Sequence, residues 1–183
     1  MAKVYEFLAD GFEEIEALAP VDILRRGGVD IQTVSINDTK EVTGSHGVIM
    51  MADKLFDEVD FSDADLLLLP GGMPGATNLM AHEGVQQALL NQHAEGKRIG
   101  AICAAPMILG QLGILQGCRA TCYPGFEKFL EGAEYTAEPV TVDGHITTGE
   151  GPGASFAYSY QLLSYFREAK AVESIKHGMR WNI

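Results

Sequence analysis

The chain has 183 residues, of which 46% are hydrophobic, 8% aromatic and 21% charged, a composition that suits a globular protein with one core and no need of metal or disulfide support. Its 25 acidic against 13 basic side chains leave a net charge of -12 with no basic stripe, which excludes nucleic acid and anionic membrane as expected partners. Cys103, Cys118 and Cys122 lack the CxxC or Cys/His spacing of a disulfide framework or zinc site. The apolar run ending at Asp10 is too short for a signal segment or a membrane span, so the expectation is one cytoplasmic domain over residues 1–183.

Val4 to Ala9, a short run of β-formers ended by Asp10-Gly11, predicts a strand. A helix is expected over Glu13 to Arg26. Ile15 and Leu18 lie on one side of it, Val21 and Leu24 extend the apolar stripe, and acidic residues crowd the first turn, where the dipole favours them. Gly27-Gly28 ends it, and Pro20 is expected to kink it or displace its last turn because one ladder donor is missing. Glu6 resists this plan, since a central parallel strand calls for an apolar side chain; it should be paired, or that edge of the sheet should be wet. Asp30 to Ile36 reads as a second strand, and Val42 to Ala52 as a hairpin or one bent strand. Leu66 to Leu69, bounded by Asp65 and Pro70-Gly71-Gly72, has the continuous hydrophobicity of a strand covered on both faces.

The next helix is expected from Gly75 through Ala94 with Val85, Leu89 and Leu90 inward, capped by Gly96. Arg98 to Ile102 leads as a strand into Cys103, and Pro106 opens a helix, since its missing N–H has no partner in a first turn. Arg119 to Cys122 offers a short strand. Val140 to Thr148 reads as a hairpin around Asp143-Gly144. Ala154 to Ala169 is expected to be one amphipathic helix with Phe156, Tyr160, Leu163 and Phe166 in register, followed by a short helical end at Val172 to His177. This alternation predicts an open, mostly parallel α/β sandwich whose ligand crevice lies beyond the carboxyl ends of the strands. Gly71-Gly72, Cys103, the loop from Asp10 to Glu16, and Gly149 to Pro152 would then surround one crevice.

Strand, sharp turn and helix around Cys103 form a nucleophile elbow, which aims the following N–H groups and the helix dipole at the sulfur and would leave it thiolate-rich. As residues alone, the stretch serves equally as a buried turn of small side chains. N–H groups of the Gly71-Gly72 turn and of Ala104 could converge as an oxyanion hole. Neither glycine-rich stretch matches a nucleotide-binding fingerprint, and the five histidines fit no metal spacing.

The blocks Ala9-Asp10-Gly11-Phe12-Glu13-Glu14-Ile15-Glu16, Leu69-Pro70-Gly71-Gly72, Ala101-Ile102-Cys103-Ala104-Ala105-Pro106 and Gly151-Pro152-Gly153 resemble, in order, those of the ThiJ/PfpI superfamily. Within it the chain most resembles the subfamily of the Parkinson-disease-associated protein deglycase. The resemblance implies a flavodoxin-like three-layer sandwich, a homodimer, and cofactor-free, metal-free chemistry. Cys103 would be the nucleophile, Glu16 its carboxylic-acid partner, and Gly72 with Ala104 the backbone oxyanion donors; Gly71, Tyr123, Gly151 and Pro152 would lie near the site. It further implies glyoxalase-type conversion of methylglyoxal to lactate or deglycation of early adducts, with oxidation of Cys103 in a sensor or chaperone-like role as the alternative. Two positions depart from the pattern. Protease members carry a histidine directly after the nucleophile, where this chain has Ala104, so peptide cleavage is not expected. Tyr123 stands where deglycase relatives often carry a histidine, and with a reference pKa of about 10 it is a poor base, which leaves proton transfer to Glu16.

Overall fold

The computed structural model describes residues 2–181; residues 1, 182 and 183 of the expected domain lie outside the described residues. Seven strands form the main sheet: β1 (Lys3–Leu8), β2 (Asp30–Ser35), β5 (Lys54–Leu55), β6 (Leu66–Leu69), β7 (Arg98–Ile102), β10 (Val140–Asp143) and β11 (Ile146–Gly149). Their spatial order is β10-β11-β7-β6-β1-β2-β5, and every neighbouring pair is parallel except the β10–β11 hairpin. This is the mostly parallel α/β sheet expected from the alternation. The helices are α1 (Glu14–Arg26), α2 (Gly75–Ala81), α3 (Glu83–Ala94), α4 (Pro106–Gln111), α5 (Ser155–Leu163) and α6 (Ala169–Gly178). Two small ladders lie outside the sheet: β3 (Glu41–Thr43) with β4 (Ile49–Met51), which resolves the Val42 to Ala52 region as a hairpin, and β8 (Arg119–Ala120) with β9 (Glu134–Tyr135). Among the described residues no helix is long and apolar enough to cross a membrane.

The four leucines of β6 are at most 1% exposed, and each such burial contributes about 1.5–3 kcal/mol relative to an exposed side chain. They hold the centre of the sheet, between β1 and β7, and so fix the height at which the Gly71 turn and Cys103 emerge from adjacent strand ends.

Several expectations need correction. The helix expected over Gly75 to Ala94 breaks at His82, whose backbone is extended (ψ 107°) and whose Nδ1 accepts the Val85 N–H at 3.1 Å, so that this side chain caps α3. The tail helix likewise ends at Leu163 and restarts at Ala169. The strand at Arg119 stops at Ala120 and pairs with β9 instead of joining the main sheet. Helix α1 runs through Pro20 to Arg26. It buries Ala17, Val21, Ile23 and Leu24 and leaves Ile15 52% and Leu18 43% exposed, the pair that the sequence marks as able to face a partner; Leu90 and Phe156, expected inward and in register, face outward instead. Inward positions on α1 are set by its packing against α5 and the sheet, a constraint that helical periodicity alone does not contain.

Glu6 is neither paired nor wet. It sits in the central strand β1 beside Leu68 of β6, is 1% exposed, and its Oε2 has no hydrogen-bond partner among the described residues. Burial raises its pKa well above the ordinary carboxyl value, opposed weakly by the charge of Arg25. The folded state therefore keeps a proton that the unfolded chain releases. The destabilisation is absent below the unfolded pKa of about 4.3 and grows by up to about 1.4 kcal/mol per pH unit as pH rises towards the folded value. Glu6→Met should raise the Tm at pH 8 by several degrees, and the gain should shrink towards pH 5 in parallel thermal melts; an equal gain at both pH values would contradict a neutral buried carboxyl.

Candidate active site

Strand β7 ends at Ile102, and the chain enters Cys103 with φ of 65°, a left-handed conformation that costs a non-glycine residue about 1–2 kcal/mol. Three backbone bonds hold it there. The Cys103 N–H donates to the Gly149 carbonyl at 2.9 Å, its carbonyl accepts from the Tyr123 N–H at 2.8 Å, and the Ala105 N–H donates to the Ile102 carbonyl at 3.0 Å. Pro106 then occupies the first turn of α4. The expected elbow is present in this backbone, with the sulfur raised above the carboxyl end of the sheet.

Glu16 reaches the same point from the first turn of α1, whose N-cap is Glu13: the Glu13 carboxylate accepts the Glu16 N–H at 2.8 Å. Glu16 is fully buried. Its Oε2 accepts the Gly71 N–H at 2.8 Å, whereas Oε1 makes no regular hydrogen bond and the neighbour that acts on the carboxyl is the Cys103 thiol. Gly71 is the hinge of this approach, because a Cβ on it would lie 2.6 Å from Glu16 Oε2 and 2.7 Å from Cys103 Cβ. Gly72, at φ of 87°, brings its own N–H to the sulfur, joined by that of Ala104.

Burial pushes the Glu16 carboxyl up to about 7; the charge of Glu13 adds to this, and bonds from Cys103 and Gly71 oppose it. The thiol is affected in the same sense. Burial first, then the charge of an ionised Glu16, raise Cys103 above its ordinary value, while the Gly72 and Ala104 N–H groups lower it. A carboxylate beside a thiolate is expected from the sequence to raise the cysteine and to require that the two groups share one proton; here burial adds to that charge in disfavouring the thiolate, against the lowering expected of the elbow alone.

Tyr123, Gly151 and Pro152 line an open cleft of about 380 Å³ with Pro124 and Pro139, next to the elbow rather than around the sulfur. Cys122 is fully buried one residue from Tyr123, its thiol pushed up to about 12, chiefly by burial. Sequence reasoning missed one cluster altogether. The β3–β4 hairpin brings His46 to Glu13 and Glu14, so that one ligand atom of each lies within 4.8 Å of the others. Although burial pushes the other way, bonds from the His46 ring and backbone N–H, both at 2.7 Å, hold the Glu14 carboxyl down to about 2. Those contacts close the hairpin over the N-terminus of α1. No local sequence pattern marks a pair 32 residues apart.

A model of the DJ-1/PfpI family matches residues 2–165. The chain belongs to this family. Among curated DJ-1/PfpI relatives, Protein DJ-1 homolog B of Arabidopsis thaliana is 38% identical over 174 residues, covering 93% of this chain and 40% of that protein. The chain thus spans about two fifths of the length of that relative. A Parkinson disease protein 7 homolog of Danio rerio is 32% identical and covers 92% of each chain; a deglycase of Thermococcus kodakarensis is 32% identical and covers 90% of this chain and 99% of its own. Among solved structures, oxidized DJ-1 of Toxoplasma gondii superposes with a TM-score of 0.95 at 33% identity, covering 100% of both chains.

The pair titration is open to measurement. Alkylation of Cys103 should follow a two-step pH profile with its first rise near pH 7, as the pair loses its first proton and a fixed fraction of the remaining state is thiolate. Glu16→Gln should give a single step, lying below the upper wild-type step because the repelling charge is gone. A single-step wild-type profile superimposable on that of Glu16→Gln would contradict coupling.

Proposed function

We propose that residues 1–183 act as one domain and as a cofactor-independent cysteine enzyme on small α-oxoaldehydes or the glycation adducts derived from them. The observation that carries this reading is the fully buried Glu16 carboxyl, held by the Gly71 N–H at 2.8 Å beside Cys103, where burial pushes it up to about 7. A group poised near pH 7 is suited to both giving and taking a proton within one cycle. The deglycase name of the Thermococcus kodakarensis relative supports the same class of chemistry.

For methylglyoxal, the Cys103 thiolate forms a bond to the aldehyde carbon while the carbonyl electrons move to oxygen, which takes the Glu16 proton. The Gly72 and Ala104 N–H groups stabilise the charge developing on that oxygen. Glu16, now a carboxylate, removes hydrogen from C1 and returns it to C2 as the hydroxyl proton passes from the C1 oxygen to the C2 oxygen, leaving a lactoyl thioester. Water cleaves the thioester to lactate and restores the thiol. C1 is oxidised and C2 reduced within one molecule, so the balance is methylglyoxal plus water to lactic acid, with no external oxidant. Ala104 in place of a histidine leaves peptide cleavage without its base.

Purified protein should form lactate from methylglyoxal without glutathione. Cys103→Ala should abolish the activity, and Glu16→Gln should lower kcat at least about 100-fold. Wild-type turnover by either variant would overturn the assignment. The oxidized state of the Toxoplasma gondii relative favours a second reading, in which Cys103 is an oxidation sensor. Under graded peroxide that reading requires sulfinate at Cys103 before Cys118 or Cys122, together with negligible aldehyde turnover.

We further propose a homodimer through the outward face of α1. Ile15 and Leu18 join Phe156 and Met179 in an apolar groove of about 420 Å³, and apolar surface of this kind marks interaction sites. Light scattering at micromolar concentration should give twice the chain mass, and Leu18→Glu should shift the protein to monomer. A wild-type monomer would refute the assembly.

A further inference from the structure

The cleft beside Cys103 carries a charge that the chemistry above does not use. It is lined by Tyr123, Pro124, Pro139, Glu150, Gly151 and Pro152, with the Tyr123 ring lying against Gly151. Two of its segments are tied to the peptide groups of Cys103: Tyr123 donates its N–H to the Cys103 carbonyl at 2.8 Å, and Gly149, one residue before Glu150, accepts the Cys103 N–H at 2.9 Å. The cleft therefore lies beside the Cys103 backbone. The backbone of Glu150 is pinned, its N–H donating to the Pro139 carbonyl at 2.9 Å. Its carboxylate, half-buried, has no ion-pair partner among the described residues. Glu127 adds charge of the same sign, since it and Glu150 both raise the thiol of neighbouring Cys122. Lys128, a cation in this stretch, is turned to the ring of Phe129, 5.0 Å away.

An apolar lining of prolines and one tyrosine, beside a carboxylate with no ion-pair partner among the described residues, matches a body with an alkyl stem and an organic cation. It disfavours an anion by direct repulsion. Methylglyoxal, with three carbons, leaves most of such a cleft empty. We infer that Glu150 makes this cleft a subsite for the non-reacting, cationic end of the substrate, so that the protein prefers α-oxoaldehyde adducts carried on an ammonium- or guanidinium-bearing body over neutral or anionic ones. The inference rests on the proposed chemistry at Cys103 and names the substrate class that this chemistry serves.

Two readouts separate the subsite from the chemistry. The first needs no turnover: Cys103 is labelled with methanethiosulfonates bearing an ethyltrimethylammonium or an ethylsulfonate group, and the rates are read by mass spectrometry of its peptide. The cation should react faster, and Glu150→Gln should reduce the cation-to-anion rate ratio about fivefold, the effect of one charge at several ångströms in a solvent-open cleft. Glu173→Gln, which makes the same change in net charge on α6, should leave the ratio near that of wild type. Equal ratios in the two variants would overturn the subsite. The second compares lactate formation from methylglyoxal hemithioacetals of 2-mercaptoethyltrimethylammonium and of mercaptoacetate at equal free methylglyoxal, each thiol leaving C1 with the Glu16 proton as Cys103 bonds to that carbon. The subsite predicts a higher kcat/KM for the trimethylammonium adduct, and a preference that falls in Glu150→Gln. Equal rates for the two adducts in wild type would overturn the substrate preference while leaving the aldehyde chemistry intact. Absence of lactate from every substrate, with charge-selective labelling retained, would instead remove the chemistry.

Discussion

A carboxyl excluded from water and pressed against a thiol is the interaction on which the rest of this site depends. Two acids in one dry pocket cannot both ionise without a large electrostatic cost, so they hold one proton between them near neutrality. Burial raises Glu16 to about 7, and the same burial, with the charge of an ionised Glu16, raises the thiol. Backbone N–H groups from Gly71, Gly72 and Ala104 restrain both shifts without adding a charge that would hold the proton on one side. In the proposed chemistry, this arrangement makes the location of the proton, and with it the nucleophilicity of the sulfur, responsive to a small change such as an arriving carbonyl.

Three chain segments converge to build it, and each meets a different backbone demand. The elbow keeps Cys103 in a left-handed conformation through bonds to Gly149 and Tyr123. The turn after β6 requires the absence of a side chain at Gly71, where a Cβ would strike Glu16 Oε2 and Cys103 Cβ. Helix α1 begins at the position that lets Glu13 cap it while Glu16 points inward one turn later. Strands β1, β6 and β7 are adjacent and parallel in the sheet, so their carboxyl ends deliver these segments to one place.

Much of this fold and site is legible in the amino-acid sequence, because local chemistry decides it. The leucine run of β6, the turn at Asp143-Gly144, and the passage from an apolar strand through Cys103 into Pro106 each specify their element within a few residues. Longer-range competition hides the rest. His82 looks like a helix interior until its ring is seen capping the next helix, and Leu90, expected inward, is left exposed where α3 packs on β7. Glu6 gives a warning without an answer: the sequence marks the misplaced charge, but only complete burial shows that neutralisation, not pairing, resolves it. The coupling of carboxyl and thiol follows from the chemistry of the pair, whereas the direction of the thiol shift does not, since it depends on desolvation at a depth no spacing rule records.

Infrared difference spectroscopy reads directly the proton that Glu16 itself holds near neutrality. Subtracting the spectrum of Glu16→Gln from that of wild type isolates the carbonyl stretch of one carboxylic acid, free of the neutral Glu6 common to both. A protonated-carboxyl band should be present at pH 6, half lost near pH 7 and, by pH 9, reduced to the small fraction in which the thiol is the ionised partner. A band already absent at pH 6, with only carboxylate stretches in its place, would show Glu16 to be an ordinary ionised residue and would contradict the shared proton.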